Sequence, residues 1–115
     1  MSKPLGPYTP AVRAGDFIFV SGQLGMADGS LANGVAAQTS QAIANLTGQL
    51  KRMGASLDDV VKTTCFLVDM DAFATFNEAY VGGFGTHRPA RSTIAVRELP
   101  VGGLVEIEAV AYSPQ

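Results

Sequence analysis

One cysteine, one histidine and no apolar run of membrane-spanning length: these scarcities narrow the chemistry open to this 115-residue chain. The lone Cys65 rules out an internal disulfide, and with His87 as the only histidine no conventional zinc set can form within one chain. No metal site is therefore expected, and a single free thiol suits a reducing compartment. No stretch approaches the roughly 18 consecutive apolar residues of a membrane span. The opening Met1-Ser2-Lys3-Pro4-Leu5-Gly6-Pro7 has no apolar run of signal-peptide length, so the expected location is cytoplasmic, with no membrane partner. Charge is scarce as well. Eight basic residues against ten acidic ones leave no basic surplus to grip a phosphate backbone, and nucleic acid is not expected as a partner. Gly82-Gly83 and Gly102-Gly103 lack the frame of a phosphate-binding loop. Repeats, linkers and low-complexity tracts are missing too, which makes residues 1–115 one domain.

Patterning supplies the elements. Ala11 to Arg13 and Phe17 to Ser21 read as strands separated by a Gly15-Asp16 turn, the second closed by Gly22. Gly25 to Gly34, with Asp28-Gly29 and Asn33-Gly34, reads as a loop. From Val35 to Met53, Ala42, Ile43, Leu46, Leu50 and Met53 share one helical face. Thr39, Ser40 and Asn45 are expected on its exposed side. Val60 to Val68 is a strand. Asp69 or Asp71 caps a second helix striped by Phe73, Phe76, Tyr80 and Phe84, its last turn weakened by Gly82-Gly83. Arg91 to Arg97 and Leu104 to Tyr112 complete the set as strands. The expected class is α+β, with two helices on one face of a mixed or antiparallel sheet.

Alternation along the last two strands marks the candidate site. On the first, Arg91 and Thr93 share a face, and Ile94 and Val96 are expected against the helices. On the second, Val105, Ile107, Ala109 and Ala111 face the helices, leaving Glu106 and Glu108 opposite. Paired as an antiparallel hairpin, the strands would bring Arg91, Thr93 and Glu106 around one spot on the uncovered face. A mixed apolar and charged face of this size is usually covered by another subunit. Arginine offers a planar fork for a carboxylate, and a glutamate can take a proton from water and return it to a leaving group. A plain interface ion pair is the competing reading. Cys65 is expected to be an inert packing thiol, and His87 a surface residue.

The block Pro89-Ala90-Arg91-Ser92, Ile94, Arg97, Leu99 and Val105-Glu106-Ile107 resembles the signature of the Rid (YjgF-like) family of enamine/imine deaminases. Gly6-Pro7-Tyr8, Ser21-Gly22-Gln23, Phe66-Leu67-Val68-Asp69-Met70 and Phe73-Ala74-Thr75-Phe76-Asn77-Glu78-Ala79-Tyr80 extend the likeness over nearly the whole length. The resemblance implies a chorismate-mutase-like fold assembled as a homotrimer, with active sites in clefts between subunits. It implies cofactor-free hydrolysis of 2-imino or 2-enamino acids, such as 2-aminoacrylate, to 2-keto acids and ammonia. By the same resemblance Arg91 clamps the substrate carboxylate, Glu106 activates water, and Tyr8, Ser21 and Asn77 line the pocket. Thr93 stands where many members carry cysteine, and its backbone N–H remains able to bind a carboxylate. The alternative is a non-catalytic regulator or chaperone-like trimer that uses the same cleft to sense small acids.

Overall fold

In a computed structural model, which describes residues 4–115, seven strands and two helices account for most of the chain. In chain order they are β1 (Ala11–Ala14), β2 (Phe17–Leu24), β3 (Met26–Ala27), β4 (Ser30–Leu31), α1 (Val35–Arg52), β5 (Val60–Leu67), α2 (Phe73–Phe84), β6 (Ala90–Ala95) and β7 (Val105–Tyr112). Five of the strands form one sheet in the order β1-β2-β7-β5-β6, antiparallel except for the parallel β5-β6 edge. Both helices cover one face. Their Ala42, Ile43, Leu46, Leu50, Phe76, Tyr80 and Phe84 pack on Ile18, Val20, Cys65, Leu67, Ile107 and Ala111 of the strands.

Helix α1 forms where the 3.6-residue repeat places its apolar side chains, but two of its polar residues do more than face water. Gln38 is buried, donating to the Ala32 carbonyl at 3.0 Å and accepting from the Leu104 N–H at 2.9 Å. Asn45, expected to be exposed, donates at 2.9 Å to both the Leu24 and Met26 carbonyls, and Thr39 is fully buried. Gln38 and Asn45 thereby pin loop and strand-end backbone groups that would otherwise lack partners. Arg13 does the same at the far end, donating to Ser113 O at 2.7 Å and to Met53 O, beyond the helix C-terminus, at 3.2 Å.

Several boundaries differ from expectation. The Gly25–Gly34 loop contains the β3-β4 hairpin, turned by Asp28 (φ 54°) and Gly29 (φ 82°), the left-handed pair a tight hairpin requires. Strand β2 does not stop at Gly22: it crosses a bulge, with Ser21 and Gly22 together opposite Glu108, and continues to Leu24. Gly82-Gly83 does not end α2. Gly83 is where the helices meet, since a Cβ there would lie 2.6 Å from Ile43 Cδ1. Asp69 caps the turn leading into α2, accepting from the Asp71 N–H at 2.9 Å. Strand β6 ends at Ala95, short of Arg97.

Three corrections concern architecture. A chorismate-mutase-like fold is overturned: helices of 18 and 12 residues are too few for a helical bundle, and a five-stranded mixed sheet carries the core. The expected β6-β7 hairpin does not exist, because β5 lies between the two strands. The faces of β6 are reversed as well. Ile94 is 47% exposed on the open side, and Arg91 and Thr93, paired with buried Thr63 and Cys65, turn toward α2. A six-residue edge strand with apolar residues in both alternating sets gives no signal in its alternation of which side is covered. Among the described residues no helix is long and apolar enough to cross a membrane.

Candidate functional site

The predicted residues fall into two groups, one on each face of the sheet. The first surrounds Arg91, whose backbone is set by parallel pairing with Thr63 of β5. Its guanidinium carbon lies 5.5, 5.6 and 4.9 Å from the ring centroids of Phe73, Phe76 and Tyr80, all on α2. Three rings at this range hold the cation by its faces and leave the edge of the fork for a ligand. Tyr80 shares a 2.8 Å hydrogen bond with Thr63 Oγ1, and burial pushes its hydroxyl above the usual phenol range despite that bond and the nearby Arg91 charge. The ring that steadies the guanidinium therefore stays neutral. Burial also drives the Cys65 thiol up to about 11, which makes it the packing residue that was expected.

Beside Arg91 a cavity of about 270 Å³ opens between α2 and the β6 edge, lined by Asn77, Tyr80, Val81, Arg88, Pro89 and Arg91. Asn77 Oδ1 and Thr93 Oγ1 are both buried with no hydrogen-bond partner. Unsatisfied polar atoms are costly in a finished interior; Asn77 lies on the cavity wall beside the caged cation, whereas Thr93 sits against the Cys65 thiol.

The second group occupies the open face. Glu106 of β7 pairs with Phe66 on one side and Leu24 on the other. Burial, and then the neighbouring Glu108 charge, raise its carboxyl above the usual range. The bulge in β2 brings Gly22 directly against it: a Cβ on Gly22 would sit 2.7 Å from both Cδ and Oε2 of Glu106. Ser21, next in the chain, donates through Oγ to the Thr9 carbonyl at 2.7 Å. That bond ties down the N-terminal segment carrying Tyr8, which is 45% exposed and accepts from the Leu5 N–H through its hydroxyl at 3.1 Å.

Arg91, Thr93 and Asn77 thus converge on the helix side, whereas Glu106, Ser21 and Tyr8 belong to the opposite side. One chain does not bring them together. His87 is not part of either group; its Nε2 lies 2.8 Å from the Val60 carbonyl, closing the loop after α2. Sequence reasoning missed the aromatic cage, Arg88 and Gly22. The cage residues are visible as an apolar stripe at helical spacing, but nothing in that stripe distinguishes ligand support from core. The Arg88-Pro89-Ala90-Arg91 spacing was the available signal for a second cation.

A profile described as Endoribonuclease L-PSP matches residues 1–113. The RutC family protein of Pyrococcus horikoshii is 43% identical over 96% of this chain and 90% of its own. The 2-iminobutanoate/2-iminopropanoate deaminase of Bos taurus is 44% identical over 93% of this chain and 80% of its own. Among solved structures, RidA from the Antarctic bacterium Psychrobacter sp. superposes with a TM-score of 0.92 at 38% identity, covering 96% of this chain and 91% of that one. A Thermotoga maritima structure does so at 0.91 and 44% identity, covering 98% and 91%. These folds share the open mixed sheet with two helices on one face, so the α+β expectation holds and its chorismate-mutase-like label fails. The chain belongs to the endoribonuclease L-PSP family, that of RidA and YjgF.

Proposed function

We propose that the protein hydrolyses 2-imino acids and their 2-enamino tautomers, of the 2-aminoacrylate and 2-iminopropanoate kind, to 2-keto acids and ammonia. The observation that carries this reading is its near full-length likeness to mammalian 2-iminobutanoate/2-iminopropanoate deaminases. The geometry supports it: a caged guanidinium on a small cavity suits a short carboxylate, and a half-buried carboxylate whose pKa is raised by burial is a better proton acceptor than an exposed one.

Arg91 and the Thr93 backbone N–H bind the substrate carboxylate, with Asn77 beside them. Glu106 takes a proton from water as the oxygen adds to the carbon of the iminium form, C=NH2+, whose C=N electron pair falls back on nitrogen to give a neutral carbinolamine. The glutamic acid then returns its proton to that nitrogen. The C–N bond breaks, ammonia leaves, and the hydroxyl collapses to the keto group with loss of its proton. An imine is already electrophilic, so positioning and proton transfer suffice and no cofactor enters. Because Arg91 and Glu106 point to opposite faces of one chain, the site draws them from neighbouring copies. We assign it to the clefts of a homotrimer, with Tyr8 and Ser21 arriving on the Glu106 side.

The test is semicarbazide trapping of an imine generated by an amino-acid oxidase. The protein should lower adduct formation in proportion to its concentration, and unchanged adduct across several amino acids would sink the reading. One observation favours a second reading, a non-catalytic sensor of small acids: the Arg91 cavity lies complete within one chain, apart from Glu106. A sensor tolerates Glu106→Gln, whereas the hydrolase does not. Ribonuclease action has less support, since the net charge of -2 leaves no basic surface surplus for RNA.

A further inference from the structure

We infer that the cavity takes 2-imino acids bearing a second carboxylate, and that Arg88 is the cation receiving the distal group. The inference rests on the deaminase reading and narrows its substrate class. Two guanidinia, Arg88 and Arg91, share the wall of one cavity of about 270 Å³. Like charges around so small a space repel, and a dianion offsets that repulsion more fully than a monoanion. Arg88 is also held in place. Its Nη1 donates to the Gly85 and His87 carbonyls of the loop that ends α2. Among the described residues those bonds use Nη1 alone, so the other N–H groups of the fork can meet a ligand.

The third polar group on the wall is Asn77, whose buried Oδ1 has no donor. A ligand that satisfies it must present a hydrogen-bond donor, and an imine or iminium N–H does so at the carbon next to the first carboxylate. Guanidinium, amide oxygen and guanidinium then answer carboxylate, imine N–H and carboxylate. The volume within one chain is at the small end for ligand pockets, which suits an occupant of a few carbons.

The experiment compares imines made by oxidising an acidic amino acid and its side-chain amide, aspartate against asparagine and glutamate against glutamine. In wild type, kcat/KM for the acid member should exceed that for the amide by at least about tenfold, the worth of one charge-assisted hydrogen bond. Arg88→Gln should bring the two values together, and Arg88→Lys should restore part of the gap. A binding measurement runs in parallel, with 2-oxoglutarate raising Tm more than 2-oxobutyrate in wild type and equally in Arg88→Gln. The proposal is overturned if wild type handles amides as well as acids, or if Arg88→Gln lowers both alike. Should neither imine be consumed while the Tm difference persists, the catalytic reading has failed and the dianion site stands. Equal consumption of both imines with equal Tm shifts removes the subsite and leaves the deaminase.

Discussion

At the scale of single residues, Arg91 and Glu106 carry opposite burdens. Arg91 is a cation stabilised by three rings, and in the proposed function a substrate anion completes its partners. Arg91→Ala should therefore lower kcat/KM by roughly 2–5 kcal/mol, read from trapping kinetics. Glu106 is a carboxylate held where its charge is disfavoured by burial and by Glu108. Because its folded pKa lies above the unfolded one, the native state binds the proton more tightly. Stability therefore falls as pH rises through the window from the ordinary carboxylate value up to the raised one. Glu106→Gln should abolish turnover yet raise Tm at neutral pH, with the gain absent in acid where wild-type Glu106 is already protonated. Glu108→Gln removes the repelling charge and should move the acid limb of the pH-rate profile to lower pH. A Glu108→Gln profile that superposes on wild type would show that this neighbour does not tune the base.

At the scale of elements, two glycines set how closely neighbours approach. Gly22 gives Glu106 its seat, and its φ lies outside the left-handed region, so alanine there is strained only by contact. Gly22→Ala should displace the carboxylate, lowering kcat by about tenfold or more through misplacement while Tm changes little. Gly83→Ala should instead wedge α2 away from α1, a destabilisation of about 1–3 kcal/mol by denaturant melt, relieved when Ile43 is trimmed to Val. These helices are legible in sequence because their buried positions recur every three or four residues over many turns. The faces of β6 are not. With only six residues at a sheet edge, Ile94 and Thr93 are equally plausible inside, and the deciding fact is that α2 covers the edge with rings aimed at Arg91. The neighbours of β7 were hidden for a different reason. Its partners come from near the start and middle of the chain, and no local pattern records pairings so distant. The candidate site residues are thus nameable from motif, but their division between two faces is not.

At the scale of the whole molecule, the proposed shared site would make activity a property of the assembly. The open face also exposes Val12, Phe17, Phe19, Ile94 and Tyr112, an apolar surface that a second copy can cover. Mixing Arg91→Ala with Glu106→Gln, each inactive alone, should recover about a quarter of wild-type sites after subunit exchange, as expected for random pairing across a cyclic interface. A site built within single chains would recover nothing. The placement of β7 has a further consequence, for synthesis. Strand β7 follows the other strands of its sheet in the chain yet sits in the middle of it, joining β2 to β5, with Ile18 waiting for Ala111. Until it emerges, both halves display unpaired central edges, so a nascent chain has no finished core to settle into and depends on protection from aggregation until β7 is in place.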